Sequence, residues 1–123
     1  MKTRICLWYE SRIRNDGAGI MLLDTLQKRD DVTVLHFAPE GDVREFGSFD
    51  LHIWIDHGED NWMTENYPCP KPNLYWVSDC HWSKEALAFR VAKAKEFDVV
   101  CCNHPHHVQL MKEALGHDRV YWV

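Results

Sequence analysis

Polar and titratable side chains follow four apolar segments of the sequence, at the point where each segment ends. Histidine and aspartate recur in these sets, and imidazole and carboxylate groups are the usual general acids and bases of enzymes. The four sets are residues 10–12, 56–60, 78–81 and 103–106. If the apolar segments are parallel strands, all four sets share the carboxyl edge of one sheet, where such sheets bind ligands. The sequence therefore predicts a polar cleft at that edge.

Helix capping is the alternative explanation for part of this pattern, because Ser and Asp are favoured at helix N-termini. Capping accounts for Ser78 and Asp79, which precede a helix-like segment. It does not account for His57, His81 and His104, which fall at three separate segment ends. A functional cleft explains all five residues together.

A glycine pair, Gly17 and Gly19, lies between the first apolar segment and the first helix-like segment. Backbone N–H groups at such a position can approach a substrate or a phosphate. The pair lacks the GxGxxG spacing of a dinucleotide site, so that site is not favoured. A flexible loop that enters a helix is the alternative.

The segments that must position these residues alternate between strand and helix patterns. Unbroken apolar runs are typical of strands covered on both faces, and apolar stripes with caps are typical of helices. Predicted strands are 4–9, 32–37, 51–55, 74–77, 99–102 and 120–123, and predicted helices are 20–29, 84–96 and 105–115. The remaining long stretches are 38–49, predicted as a loop with a short helix as the alternative, and 59–72, predicted as irregular. This alternation predicts an α/β fold, namely a Rossmann-like, doubly wound, mostly parallel sheet with helices on both faces.

Composition narrows the classes of protein. A chain of 123 residues with 46% apolar and 27% charged residues predicts one globular domain. The net charge of -5 gives no reason to expect a nucleic-acid partner. No apolar run approaches the roughly 18 residues of a membrane span, and the N-terminus shows no signal-peptide pattern. Five cysteines without paired spacing fit reduced thiols in a cytoplasmic protein.

Two reactive-site alternatives are not favoured. Cys101 and Cys102 are neighbours in a strand and therefore point to opposite faces, and no CxxC or HxxxH pair supplies a zinc site. The sequence predicts no metal site and assigns these cysteines to the core. Cys80 and His81 lie beside a helix N-terminus, which favours a thiolate, but consecutive side chains seldom face each other, so no catalytic dyad is predicted.

A strand, a polar turn and a helix run in order through KPNLYWVSDCHWSKEALAFRVAKAKEF, and FDVV, a second helix and GHDRVYWV follow. This arrangement resembles the N-terminal half of GT-B glycosyltransferases, most closely the spore-coat-maturation-like group of family-4-type enzymes. The resemblance covers residues 71–123, and its main pieces are 75–81, Arg90, 97–100 and 116–123. The first half of the chain matches only in the order of its elements.

The resemblance implies an enzyme that moves a sugar from a nucleotide sugar to an acceptor hydroxyl, with stereochemistry left open. Residues 1–123 would be a single domain, the N-terminal part of a two-domain protein, and would bind a small-molecule or glycan acceptor. The nucleotide-sugar donor belongs to a C-terminal domain that this sequence lacks, so these residues are expected to bind no cofactor and to show no turnover. The implied catalytic residues, as base or sugar contact, are Asp79, His81 and His57. The implied substrate contacts are Gly17, Gly19, Asp56, Ser78, Asn103 and His104.

Two rival functions remain open at this stage. The first is a non-catalytic Rossmann-like binding or interaction module, which could form a homo-oligomer through the edge of its last strand. The second is a receiver-like or flavodoxin-like domain. A receiver needs an acidic pair after its first strand and a Lys after its fifth, whereas Glu10 stands alone and Asn103 takes the fifth-strand position.

Overall fold

The protein is described here by a computed structural model, which covers residues 2–8, 18–37, 49–56, 70–77 and 84–123. Six strands and three helices lie within these ranges. In chain order they are β1 (Thr3–Trp8), α1 (Ala18–Gln27), β2 (Val32–Phe37), β3 (Leu51–Asp56), β4 (Asn73–Val77), α2 (Lys84–Ala94), β5 (Val99–Cys102), α3 (Pro105–Leu115) and β6 (Val120–Trp122). The strands form one sheet, and every pairing in it is parallel. The predicted Rossmann-like α/β fold is confirmed.

The strand order is β2-β1-β3-β4-β5-β6. Its first five strands follow the flavodoxin-like order of doubly wound sheets, and β6 extends the sheet by one strand. The winding reverses between β1 and β3, so the ligand-binding switch point of this topology lies beside the carboxyl ends of those two strands. Right-handed crossovers place α1 on one face and both α2 and α3 on the other.

The face that carries α2 and α3, called the α3 face below, is a packed aromatic layer. Trp8 stacks on Trp54 with ring centroids 4.4 Å apart. Phe97 meets Trp54 edge-on and stacks on Tyr75 at 4.9 Å. All four rings are buried, and the loss of one such ring from a core costs about 3–5 kcal/mol.

The described residues cover the opposite face, called the α1 face, unevenly. Leu7, Ile53 and Leu74 are paired across β1, β3 and β4 and share this face. Leu7 is fully buried where α1 packs over β1 and β2, Ile53 is 8% exposed, and Leu74 is only half-buried. An apolar groove of about 250 Å³ opens over this part of the sheet. Its lining residues are Leu22, Ile53, Leu74, Trp76, Cys101 and Val123.

Polar contacts fix the amino end of β4 to the turn before β5. The Asn73 side chain accepts a hydrogen bond from the Asp98 N–H at 2.7 Å and donates to the Glu96 carbonyl at 3.2 Å. The Asp98 carboxylate accepts from the Asn73 N–H at 3.1 Å and from Lys71 Nζ at 3.0 Å. These bonds satisfy backbone groups that the chain would otherwise bury without partners.

The observed boundaries differ from the predicted ones by a few residues. α1 begins at Ala18, so Gly19 is buried in its first turn and is not part of the preceding loop. α2 ends at Ala94, because the chain turns there to bring Phe97 into the core. β3 runs one residue further than predicted and includes Asp56.

Candidate functional site at the carboxyl edge

The structure describes four of the predicted site residues, namely Gly19, Asp56, Asn103 and His104. Asn103 and His104 directly follow β5, Asp56 ends β3, and Gly19 lies in the first turn of α1, so all four occupy the carboxyl edge. The other predicted residues lie outside the described ranges. They are Gly17, His57, Ser78, Asp79 and His81.

Asn103 is held between two tryptophans from the strands on either side of β5. The Trp76 indole N–H donates to Asn103 Oδ1 at 2.8 Å, and the Trp122 indole N–H donates to the Asn103 carbonyl at 3.2 Å. Trp122 is 67% exposed, and Asn103 itself is exposed. The edge of the sheet therefore presents an amide in a fixed position beside an open indole ring.

His104 caps the N-terminus of α3. Its backbone is extended (φ -124°, ψ 128°), and its Nδ1 atom accepts the His106 N–H at 3.2 Å. Pro105 occupies the first helical position, where its fixed φ favours the helix and its missing N–H costs nothing. The prediction that capping does not account for His104 is therefore wrong, because its ring caps α3. Since Nδ1 is used by the cap, Nε2 is the ring nitrogen that can meet a ligand.

Three imidazoles form a cluster at this helix start. The His104 ring centroid lies 6.3 Å from that of His106 and 5.3 Å from that of His107. His106 is exposed, whereas His107 is half-buried beneath it. Burial lowers the pKa of His107, and the charges of His104, His106 and Arg90 lower it further. The cluster is therefore a place where added positive charge is unfavourable.

Asp56 is anchored inside the protein. Tyr75 Oη donates to its Oδ2 atom at 2.5 Å, and Arg90 Nε lies 3.3 Å from the same oxygen. Arg90 Nη2 lies 3.4 Å from Oδ1. Burial, and then the negative charge of Asp56, raise the pKa of Tyr75 well above its usual value, so the phenol remains a donor. A substrate would have to displace these partners to reach the carboxylate, and in this structure Asp56 fixes the carboxyl end of β3.

Tyr75 and Arg90 were not recognised as part of this edge from the sequence. They lie 19 and 34 residues from Asp56 along the chain, so no local spacing relates the three. The available signal was Arg90 within the apolar run of α2, because a buried arginine requires an acidic partner. Sequence alone does not say which acidic residue it is.

The described cysteines are buried. Cys6, Cys101 and Cys102 carry reduced thiols, and burial raises the pKa of Cys6 to about 12. Cys101 lines the groove on the α1 face and Cys102 lies in the core, which agrees with their predicted opposite orientations. In the described ranges no group of three or more His, Cys, Asp or Glu side chains is arranged to hold a metal ion.

Comparison with protein-family models, with curated proteins and with solved structures found no match to this chain. None of the helices that the structure describes is both long enough and apolar enough to cross a membrane. The functional interpretation therefore rests on the residues at the carboxyl edge.

Proposed function

We propose that this chain is the acceptor-side domain of a glycosyltransferase, and that the β5–α3 turn is part of its acceptor site. The observation that carries the proposal is the exposed Asn103–His104 step, held between Trp76 and Trp122 at the carboxyl edge. The resemblance of residues 71–123 to GT-B enzymes supports it as well. The nucleotide-sugar donor would bind to a separate domain.

The chemistry of the turn suits a sugar. Carbohydrate hydroxyls both donate and accept hydrogen bonds, and an amide and an imidazole offer both functions at fixed positions. The apolar face of a sugar ring can stack on an exposed indole, and Trp122 presents one. The hydrogen bonds to Asn103 fix these groups before a ligand arrives, which reduces the entropic cost of binding.

An NMR titration of the 123-residue chain with a panel of mono- and oligosaccharide acceptors tests the proposal. We expect saturable shifts at the amides of Asn103 and His104 and at the Trp122 indole N–H. Trp122→Ala should weaken binding at least tenfold, whereas Tyr121→Ala, a change of similar size at the neighbouring exposed position, should leave it within about twofold. Absence of saturable shifts across the panel would overturn the proposal.

The division between acceptor and donor domains gives a second test on the same sample. We expect calorimetry with UDP-, GDP- and TDP-sugars to show no saturable binding to these 123 residues. Binding of a nucleotide sugar at micromolar concentration would contradict the assignment of this chain to the acceptor side. We propose a cytoplasmic location for the enzyme, because its five cysteines lack the paired spacing of a disulfide framework.

A non-catalytic interaction module is the second candidate, and the edge strand β6 favours it. Tyr121 and Trp122 are 54% and 67% exposed, and among the described strands β6 pairs only with β5, so that its outer edge offers backbone groups to a partner strand. The strand contains no charge and no proline to prevent pairing. In this alternative a second copy of the chain adds to β6. Sedimentation should then show a dimer that Tyr121→Lys dissociates, and a monomer at 100 μM would exclude it.

A further inference from the structure

One residue, His104, accepts the hydrogen bonds that the first-turn N–H groups of α3 donate. His104 Nδ1 accepts the N–H of His106, and the His104 carbonyl accepts the N–H groups of His107 and Val108 at 3.1 and 3.2 Å. Pro105 has no N–H to satisfy. The amide of His106 is therefore the one first-turn donor that depends on the imidazole.

An imidazole differs from the usual caps in one respect. Ser, Thr and Asn keep their acceptor oxygen at every physiological pH, whereas an imidazole nitrogen accepts a hydrogen bond only while it is unprotonated. A protonated ring turns Nδ1 into a donor that faces the His106 N–H. It also adds a positive charge at the positive end of the helix dipole. Both effects destabilise the first turn of α3.

The neighbouring cationic groups also make positive charge at this helix start unfavourable. His106 and His107 belong to the same helix start, and Arg90 of α2 acts on His107. Neither β5 nor β6, the strands that pack against α3, contains an Asp, Glu, Lys or Arg. In α2, Lys93 is paired with Glu96 at 2.8 Å, and Glu85 lies in the first turn of that helix.

We propose that His104 is a protonation-sensitive helix cap, which closes the N-terminus of α3 while Nδ1 is an acceptor and releases it when the ring is protonated. Release frees the His106 amide and adds a positive charge at the carboxyl edge of the sheet. The β5–α3 turn thus responds to pH at the same edge that holds Asn103. This inference goes beyond the acceptor-site proposal and stands on the geometry of the cap.

The tautomer of His104 provides the most direct test. Because Nδ1 accepts the His106 N–H, the neutral ring must carry its proton on Nε2. We expect long-range ¹⁵N–¹H correlation spectra at pH 8 to show the Nε2–H tautomer for His104. A neutral ring with its proton on Nδ1 would overturn the inference without any variant.

Amide exchange measures the switch itself. After correction for intrinsic exchange, protection of the His106 amide in the wild type should fall about fivefold between pH 8 and pH 5, the effect of one lost cap. His104→Asn keeps an acceptor without a titrating group, and protection at position 106 should then be independent of pH. His106→Asn is the matched control, since it removes an exposed imidazole but keeps the cap, and it should behave as the wild type does. Equal pH dependence in the wild type and in His104→Asn would overturn the inference.

Discussion

The described polar residues at the carboxyl edge divide into those buried inside the protein and those exposed to solvent. Asp56, Tyr75 and Arg90 are each at most 2% exposed, and Asp56 is hydrogen-bonded to Tyr75 and ion-paired with Arg90. Asn103 and His104 make one set of contacts within the protein and still face solvent. The buried side chains of this edge therefore stabilise the fold, whereas the exposed ones can contact other molecules.

Removing one partner from the buried ion pair should be costly. Arg90→Ala leaves the Asp56 carboxylate buried without its cation, and such losses cost about 3–5 kcal/mol. Urea denaturation of the variant measures this. The double variant Asp56→Asn/Arg90→Met removes both charges and should cost less than Arg90→Ala alone, since no ion remains unpaired. A double variant that is less stable than Arg90→Ala would contradict this account.

His52 should make the protein sensitive to acid. Its ring is 2% exposed and accepts the Trp8 indole N–H at 3.1 Å, and burial lowers the pKa of His52 below its ordinary value of 6.5. The unfolded chain therefore binds this proton at a higher pH than the folded protein does. The contribution of the neutral ring is complete above about pH 6.5 and is lost as the pH falls below that value.

Thermal melting between pH 7.5 and pH 4.5 tests this behaviour. The melting temperature of the wild type should fall more steeply below pH 6.5 than that of His52→Gln, which keeps an acceptor for Trp8 but does not titrate. Exposed His106→Gln should follow the wild type in this global measurement. If wild type and His52→Gln show parallel pH profiles, His52 is not the acid-sensitive group.

At the scale of single elements, polar contacts at the start of β4 fix it to the turn before β5. Asn73 is 1% exposed and joins β4 to the turn that precedes β5 through three hydrogen bonds. Lys71 binds the same Asp98 but is 61% exposed. Lys71 and Asn73 both lower the pKa of Asp98. A pH below the usual pKa range of a carboxylate should therefore weaken this junction, because the carboxylate is then protonated.

Substitution of these two neighbours should have unequal effects. Asn73→Ala leaves the Asp98 N–H and the Glu96 carbonyl without a partner, at about 1–3 kcal/mol for each group that stays buried. Lys71→Ala removes only an exposed ion pair, worth less than about 1 kcal/mol. Urea denaturation of both variants measures the difference. Equal losses would show that the junction depends on charge and not on the buried amide.

The end of α3 provides another prediction. Gly116 has φ +73° and its N–H bonds to the Lys112 carbonyl at 2.9 Å. No atom lies within 4 Å of where a Cβ would be, so the cost of Gly116→Ala is backbone strain of about 1–2 kcal/mol. Gly116→Asn should cost less, because Asn tolerates this conformation. Thermal melting of the two variants should rank them in that order.

The sequence was sufficient for the elements and insufficient for their long-range contacts. Apolar runs, Pro105 and Gly116 are local signals, and they located the strands and α3 to within a few residues. Parallel pairing followed from the alternation of strands and helices. The Asp56–Arg90 pair depends on the distance between two elements, and the cap at His104 depends on one side-chain rotamer. The sequence carries no local signal for either. The position of Asn103 at the carboxyl edge could be predicted, but its two indole partners could not.

At the scale of the whole molecule, the two faces of the sheet differ in how well they are covered. The α3 face is a closed aromatic layer, and the α1 face opens from Leu7 toward Leu74. The same substitution should therefore cost about 2–5 kcal/mol as Leu7→Ala and less than about 2 kcal/mol as Leu74→Ala. Chemical denaturation of both variants measures this. Equal costs would mean that the groove is filled in solution.

The strand order also bears on how the protein forms during synthesis. β1 emerges first and lies between β2 and β3, and each later strand joins the strand made just before it. Once β3 has paired with β1, the sheet can therefore grow outward in one direction while the ribosome is still translating, because each further strand pairs with the one made just before it. Between Asp56 and Asn73, at about 5–20 residues per second, β3 is the growing edge for about 1–3 s. During that interval its apolar residues and unpaired amides are open to chaperones and to other nascent chains.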